Sequence, residues 1–126
     1  MCIFGIGIDI VEIKRIQKIV FRLGDKLPLR ILSKIEWKNF LIHKNKVFFL
    51  AKCFVIKEAA SKALGIGIQK KISFKNFQIE NDSFGKPKLS LLKEAKKLAI
   101  FFKIKRIHVS YTDERMYASA VVIMEK

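Results

Sequence analysis

Residues 47–64, VFFLAKCFVIKEAASKAL, decide the fold. They hold no glycine or proline, are rich in alanine, and are apolar on nearly every side, which predicts a helix. A helix apolar all round belongs in an interior, so it should be central to the fold. Gly65-Ile66-Gly67-Ile68 ends it and begins a turn. With Glu58 as reference, Phe54 and Lys62 lie about 40° to either side, and Ala51 and Gly65 within about 20°. Lys57 lies about 100° away. A charge on so apolar a helix is costly to bury unless it is paired or coordinates a metal. The ordinary account is a Glu58–Lys62 ion pair one turn apart.

Outward toward the N-terminus, residues 3–11, IFGIGIDIV, read as a short buried strand. Strand alternation puts Phe4, Ile6, Ile8 and Ile10 on one face, where they can pack on a core. Ile3, Gly5, Gly7, Asp9 and Val11 share the other. The glycines remove bulk beside Asp9, as where a ligand or another backbone approaches closely. From residue 12 to 23 the period turns helical. Ile13, Ile16, Val20 and Leu23 form one stripe, and Lys14, Arg15, Lys18 and Arg22 fall in a sector of about 100° opposite, with Gly24 as a stop.

Residues 25–46 are a linking region with a short helix from Ser33, its N-cap, through Leu41; Glu36 completes a capping box. Beyond the central helix, residues 74–80 alternate as a strand, and Asn81-Asp82 with Gly85-Lys86-Pro87 carries turn chemistry. Residues 91–102 have helical spacing, and residues 106–112 and 117–124 form a terminal hairpin. The class is α+β, one domain over residues 1–126, with a small sheet packed on a long buried helix.

Half of the chain's 126 residues are apolar and 29% are charged, which excludes disordered classes. Its apolar runs are too short for a membrane-spanning helix. The first basic residue is Lys14 and Asp9 breaks the leading apolar stretch, so no signal peptide is expected and the setting is cytoplasmic. Cys2 and Cys53 form no CxxC pair, and Cys53 is expected to be an inert core thiol. Lys and Arg total 26 against 11 acidic residues, a net charge of +15 that favours an acidic partner. Lysine supplies most of that excess in a chain dominated by Ile, Lys, Phe and Asn, a composition that AT-rich coding also produces, so charge does not name the partner's class.

Asp9 beside two glycines, with Glu58 on the central helix, suggests a pair able to hold Mg²⁺, which takes one or two carboxylates, waters and substrate phosphates. Lys57 and Lys62 suit the phosphates such a metal bridges. Other constellations fail: His43 and His108 have no ligand spacing, there is no P-loop or GxSxG elbow, and Gly5-x-Gly7 lacks the third glycine of a dinucleotide fingerprint. No RNA-binding aromatic motif appears, so neither nucleic acid nor a membrane is the expected partner. A basic binding protein without catalysis is the alternative from another class; it predicts indifference to alanine at Glu58.

GIGIDIVEI at residues 5–13 resembles the opening motif of the holo-[acyl-carrier-protein] synthases, the bacterial 4′-phosphopantetheinyl transferases. FLAKCFVIKEAASKALG at 49–65 looks like the family's second motif, and Gly85-Lys86-Pro87 and HVSYTDE at 108–114 match in order and spacing. The resemblance implies the 4′-phosphopantetheinyl transferase fold, a homotrimer with active sites between subunits, and Mg²⁺-dependent transfer of 4′-phosphopantetheine from coenzyme A to a serine of apo-acyl-carrier protein. Adenosine 3′,5′-bisphosphate is released, and fatty acid biosynthesis is supported. It implies Asp9 and Glu58 as catalytic metal ligands and Lys62 at the departing bisphosphate. Lys57 would contact a phosphate or hold the motif in shape. The adenosine end would draw on Lys44 or Lys46, Gly65, Gly67, Lys86, Pro87 and His108. Lys14, Arg15, Lys18 and Arg22 would dock the acidic carrier protein. The chain departs from the family at Cys53, where arginine is usual, at Ile66, where threonine is usual, and at Thr112-Asp113-Glu114, where many members have Ser-His-Glu. With arginine missing at Cys53, Lys52 is the nearby candidate to compensate, and a degenerate transferase that keeps its trimer without turnover is a further reading.

Overall fold

The computed structural model describes every residue except position 70. Helix α4, Lys46–Leu64, starts on Asn45, whose side chain accepts from the Phe48 N–H, and ends at Gly65 in the left-handed region at φ 88°. One side of α4 packs on a three-stranded antiparallel sheet of order β1-β5-β4: β1 Ile3–Glu12, β5 Tyr117–Glu125 and β4 Arg106–Asp113. Around the rest lie α1 Ile13–Leu23, α2 Lys26–Ile31, α3 Lys34–Ile42 and the hairpin of β2 Phe77–Asn81 and β3 Pro87–Leu91. The short helix α5, Lys93–Phe101, follows β3.

The seam between β1 and α4 explains the glycines. A Cβ on Gly5 would stand 2.0 Å from the Ala63 carbonyl oxygen, and one on Gly7 1.8 Å from that of Ala59. No side chain fits there, so backbone lies on backbone. The inner face of the sheet is therefore the glycine face, with Val11, Ala118, Ala120, Val122 and Met124 buried beside it. The expectation that Ile6, Ile8 and Ile10 pack on the core is corrected: they are 59%, 65% and 63% exposed on the outer face. Alternation sorts a strand into two faces but does not say which is inner, and here the alanine-lined helix selects the face without bulk. Phe4, beside the register irregularity between Ile3 and Gly5, reaches the core and stacks on Phe102, ring centroids 4.8 Å apart.

Helix α1 buries Ile13 and Ile16 and stops at Gly24, φ 61°. Within the expected linker the chain makes an additional helix, α2, with Pro28 third in it. Proline costs little there, because a first-turn N–H has no partner within the helix. The capping box on α3 is present: Ser33 Oγ accepts from Glu36 N at 3.3 Å, and Glu36 Oε1 accepts from Ser33 N at 2.9 Å. The strand expected over residues 74–80 opens instead as a 3₁₀ turn, Phe74–Asn76, before β2. Among the described residues no helix is long and apolar enough to cross a membrane.

Candidate active site

Asp9 stands on the inner face of β1, two residues past Gly7, where the close seam brings α4 within reach. Lys62 on α4 donates to Asp9 Oδ1 at 3.2 Å and to the Ile8 carbonyl at 3.0 Å. The ordinary Glu58–Lys62 pair is thus replaced by a bridge from helix to strand. Glu58 shares this flank of α4. Its carboxyl is held above the usual carboxylate range by partial burial and by the Asp9 charge, against the opposing pull of Lys62. The Glu58 carboxyl, made costlier to ionise by burial and by the Asp9 charge, together with Asp9 and one lysine between helix and strand, is a donor set that a hard dication fits. Among the described residues no cluster of three or more His, Cys, Asp or Glu side chains accompanies them. Oxygen ligands from two residues leave the remaining positions to water and substrate, as Mg²⁺ prefers.

Of the two roles expected of Lys57, the phosphate contact is corrected and holding the motif in shape fits its position. Lys57 is fully buried, and its ammonium donates to the Ile31 carbonyl at 2.7 Å and to Glu36 Oε1 at 2.6 Å. It reaches no open surface and cannot serve a phosphate. Glu36, itself buried, also accepts from the Ile79 N–H at 2.6 Å through Oε2. The capping-box pattern located Glu36 in the sequence, but nothing local signalled its partner 21 residues on.

Lys44 lies in a groove of about 620 Å³ lined also by Asn39, His43, Phe49, Lys52 and Asn81. Asn81 is paired across the hairpin with Pro87, so the groove reaches the end of the hairpin that carries Lys86. Lys52, whose ammonium sits 5.5 Å from the Phe49 ring centre, supplies a second cation there. Lys46 instead turns back to the His43 carbonyl at 3.5 Å. In the turn after α4, the N–H groups of Gly65, Ile66 and Gly67 all bond to the carbonyls of Ser61 or Lys62, so they cap the helix and are not free for an anion. The space that a Cβ would take at Gly65 or Gly67 is open.

His108 lies on the outer face of the sheet, level with Ile6 and Ile123 and opposite in facing to Asp9, and its Nε2 is 2.7 Å from Glu125 Oε2. One chain alone does not unite it with Asp9. The closing segment is structural: Tyr111 donates to Asp113 Oδ2 at 2.7 Å, and Glu114 Oε1 accepts from the N–H groups of Met116 and Tyr117. Cys53 is buried, and burial, ahead of the Glu36 charge, pushes its thiol up to about 12. On α1 the basic residues are exposed, with Arg15, Lys18 and Arg22 around one shallow hollow and Lys14 and Lys18 around another. The second hollow includes Phe21, 93% exposed, an apolar side chain among cations that charge patterning alone does not single out.

A family model for the 4′-phosphopantetheinyl transferase superfamily matches residues 5–122. The chain belongs to this superfamily. It is 50% identical over 125 residues to a holo-[acyl-carrier-protein] synthase of Yersinia pestis, covering 99% of each chain. The crystal structure of holo-[acyl-carrier-protein] synthase from Neisseria meningitidis superposes with a TM-score of 0.94 at 38% identity, over 99% of this chain and all of that one. The Helicobacter pylori synthase, solved in complex with coenzyme A, superposes with a TM-score of 0.83 at 37% identity, over 95% of this chain and 99% of that one. The chain is thus an enzyme of the phosphopantetheinyl transferase kind.

Proposed function

We propose that the chain is a holo-[acyl-carrier-protein] synthase that moves 4′-phosphopantetheine from coenzyme A to a serine of apo-acyl-carrier protein, releasing adenosine 3′,5′-bisphosphate in support of fatty acid biosynthesis in the cytoplasm. The observation that carries this reading is the Lys62 bridge to Asp9 across the glycine seam, with the Glu58 carboxyl near enough to feel both charges. Bound Mg²⁺, held by Asp9 and Glu58, would offset the charge that grows on the leaving phosphate. Lys62, half-exposed, donates to that departing oxygen. The groove with Lys44, Lys52 and the Lys86–Pro87 end of the hairpin takes the phosphates of the adenosine end. The nucleophile comes with the carrier protein, which accounts for a site without an activated serine or cysteine of its own. The exposed Lys14, Arg15, Lys18 and Arg22 of α1 meet the acidic carrier, with Phe21 as an apolar contact among them.

The outer face of the sheet supports a homotrimer. Ile6, Ile8 and Ile10 leave a contiguous apolar surface with Val121 and Ile123 across the ladder, and such a surface calls for a covering protein. His108 on that same face would then serve a neighbouring subunit's site. The test of the activity is the intact mass of an apo-acyl-carrier protein after incubation with coenzyme A, in Mg²⁺ and in EDTA. A gain of one phosphopantetheine with metal only, lost in Glu58→Ala, is the expected result. Transfer that survives Glu58→Ala at near full rate would overturn the assignment.

A further inference from the structure

Helix α4 raises a mechanical question. Apolar around its circumference and lined with alanines at the β1 seam, it has no bulky side chain there to fix its rotation about its own axis. Backbone-on-backbone contact at Gly5 and Gly7 sets how near the helix lies, not how it is rolled. The metal pair is sensitive to roll: a turn of about 20° moves a side-chain end some 5–6 Å from the axis by about 2 Å, more than a coordination site tolerates.

We propose that the buried Lys57–Glu36 pair is the positioning device that sets the roll of α4 and so aims the neighbouring Glu58 at Asp9; this rests on the reading of Asp9 and Glu58 as metal ligands. The geometry suits the task. Lys57 is held at two directional acceptors, the Ile31 carbonyl at the end of α2 and Glu36 Oε1 in the first turn of α3. Glu36 is in turn fixed by N–H groups from Ser33 and from Ile79 on β2. Four elements therefore converge on one ion pair with no exposure to water. Hydrophobic packing of the same volume would supply comparable stability, so stability alone does not explain the charges. Direction does, because hydrogen bonds at fixed acceptors define one angle more narrowly than the packing of Phe49, Leu50, Val55 and Ile56, which also resists rotation.

The test is the double variant Lys57→Met/Glu36→Gln in the full chain. It keeps side-chain volume and local net charge nearly constant, and the glutamine oxygen can still accept a backbone N–H. Mn²⁺ serves as the probe, with its binding followed by the electron paramagnetic resonance of the free ion in the presence of coenzyme A, beside kcat and KM for transfer. The expected result is a folded protein whose Mn²⁺ dissociation constant rises about tenfold, as when a group that orients a ligand is removed. Its kcat falls while its KM for carrier protein stays unchanged, since α1 is not moved. Should the double variant not fold, Lys57→Arg, which keeps the charge at a changed reach, is measured in its place with the same expectation of weakened Mn²⁺. A folded variant with wild-type Mn²⁺ affinity and only a lower melting temperature would overturn the proposal and leave the pair purely structural. Failure of the wild-type protein to bind Mn²⁺ would overturn the metal assignment and this inference together.

Discussion

Replacing Gly7 with alanine tests the architecture at its tightest point. The new Cβ would sit 1.8 Å from the Ala59 carbonyl oxygen and 2.7 Å from the Ala63 nitrogen, with backbone on both sides. A carbon and an oxygen rest more than 3 Å apart, so α4 must withdraw from β1 by about 1.5 Å, and contacts along the seam lose roughly half or more of their attraction at such a gap. Overpacking of this kind costs about 3 kcal/mol, the upper end of the usual range, because the obstructing atoms are main chain and have no rotamer to change. For a domain of this size that lowers Tm by roughly 10–15 °C. The same withdrawal pulls Lys62 from Asp9 and from the Ile8 carbonyl, so transfer falls even where the protein is folded. Thermal unfolding by circular dichroism, with transfer assayed well below the transition, reads both effects. Gly85→Ala is the control for the stability effect alone. Its φ is +84° but a Cβ there meets nothing within 4 Å, so only backbone strain of about 1–2 kcal/mol is added, far from the seam. A Gly7→Ala protein that melts within about 2 °C of wild type and transfers normally would refute the close seam.

Charge reversal at Arg15 and Arg22 should raise the KM for carrier protein about tenfold at low salt while sparing that for coenzyme A, an effect that fades as salt screens it; equal change in both constants would count against docking on α1. Iodoacetamide at pH 8 should label the exposed Cys2 and not Cys53, whose thiol is pushed up to about 12 and so holds almost no thiolate there. A second adduct on the native protein, seen by intact mass, would contradict that burial. Ile8→Lys, at a side chain 65% exposed in the single chain, should leave the fold intact and abolish the proposed trimer in sedimentation velocity, and an unchanged oligomer would move the interface elsewhere.

The α+β class was readable because its carriers are local. Residues 47–64 hold an uninterrupted apolar helix signal, and Ser33 with Glu36 is a capping pattern that the structure reproduces atom for atom. Helix α2 was hidden because Pro28 reads as a breaker unless the helix is known to begin just before it. The groove at Lys44 needs residues from α3, α4 and β2, and no spacing rule connects Asn39 to Asn81. Phe21 was hidden for the opposite reason: a lone exposed phenylalanine on an amphipathic helix carries no pattern, and only its exposure makes it notable.

The misassigned strand face and the phosphate contact expected of Lys57 have one cause. Strand β1 shows an isoleucine face and a glycine face, and the hydrophobic effect read alone turns the isoleucines inward. Turned that way, Asp9 looks outward, and any lysine of α4 is as good a phosphate ligand as another. Once the glycine face is the one on which α4 lies, Ala59 and Ala63 become the helix residues at the seam. Around the axis, Glu58 and Lys62 then fall on one flank, each about 100° from the seam, while Lys57 falls about 140° round the other way. From there a lysine side chain points away from Asp9 into the helical layer, and with no water there it requires a buried acid. Glu36 is that acid. The clue was in the sequence all along as Gly5 and Gly7, because a glycine pair on one strand face beside an alanine-rich helix is better evidence for the inner surface than a row of isoleucines, which a neighbouring subunit can cover.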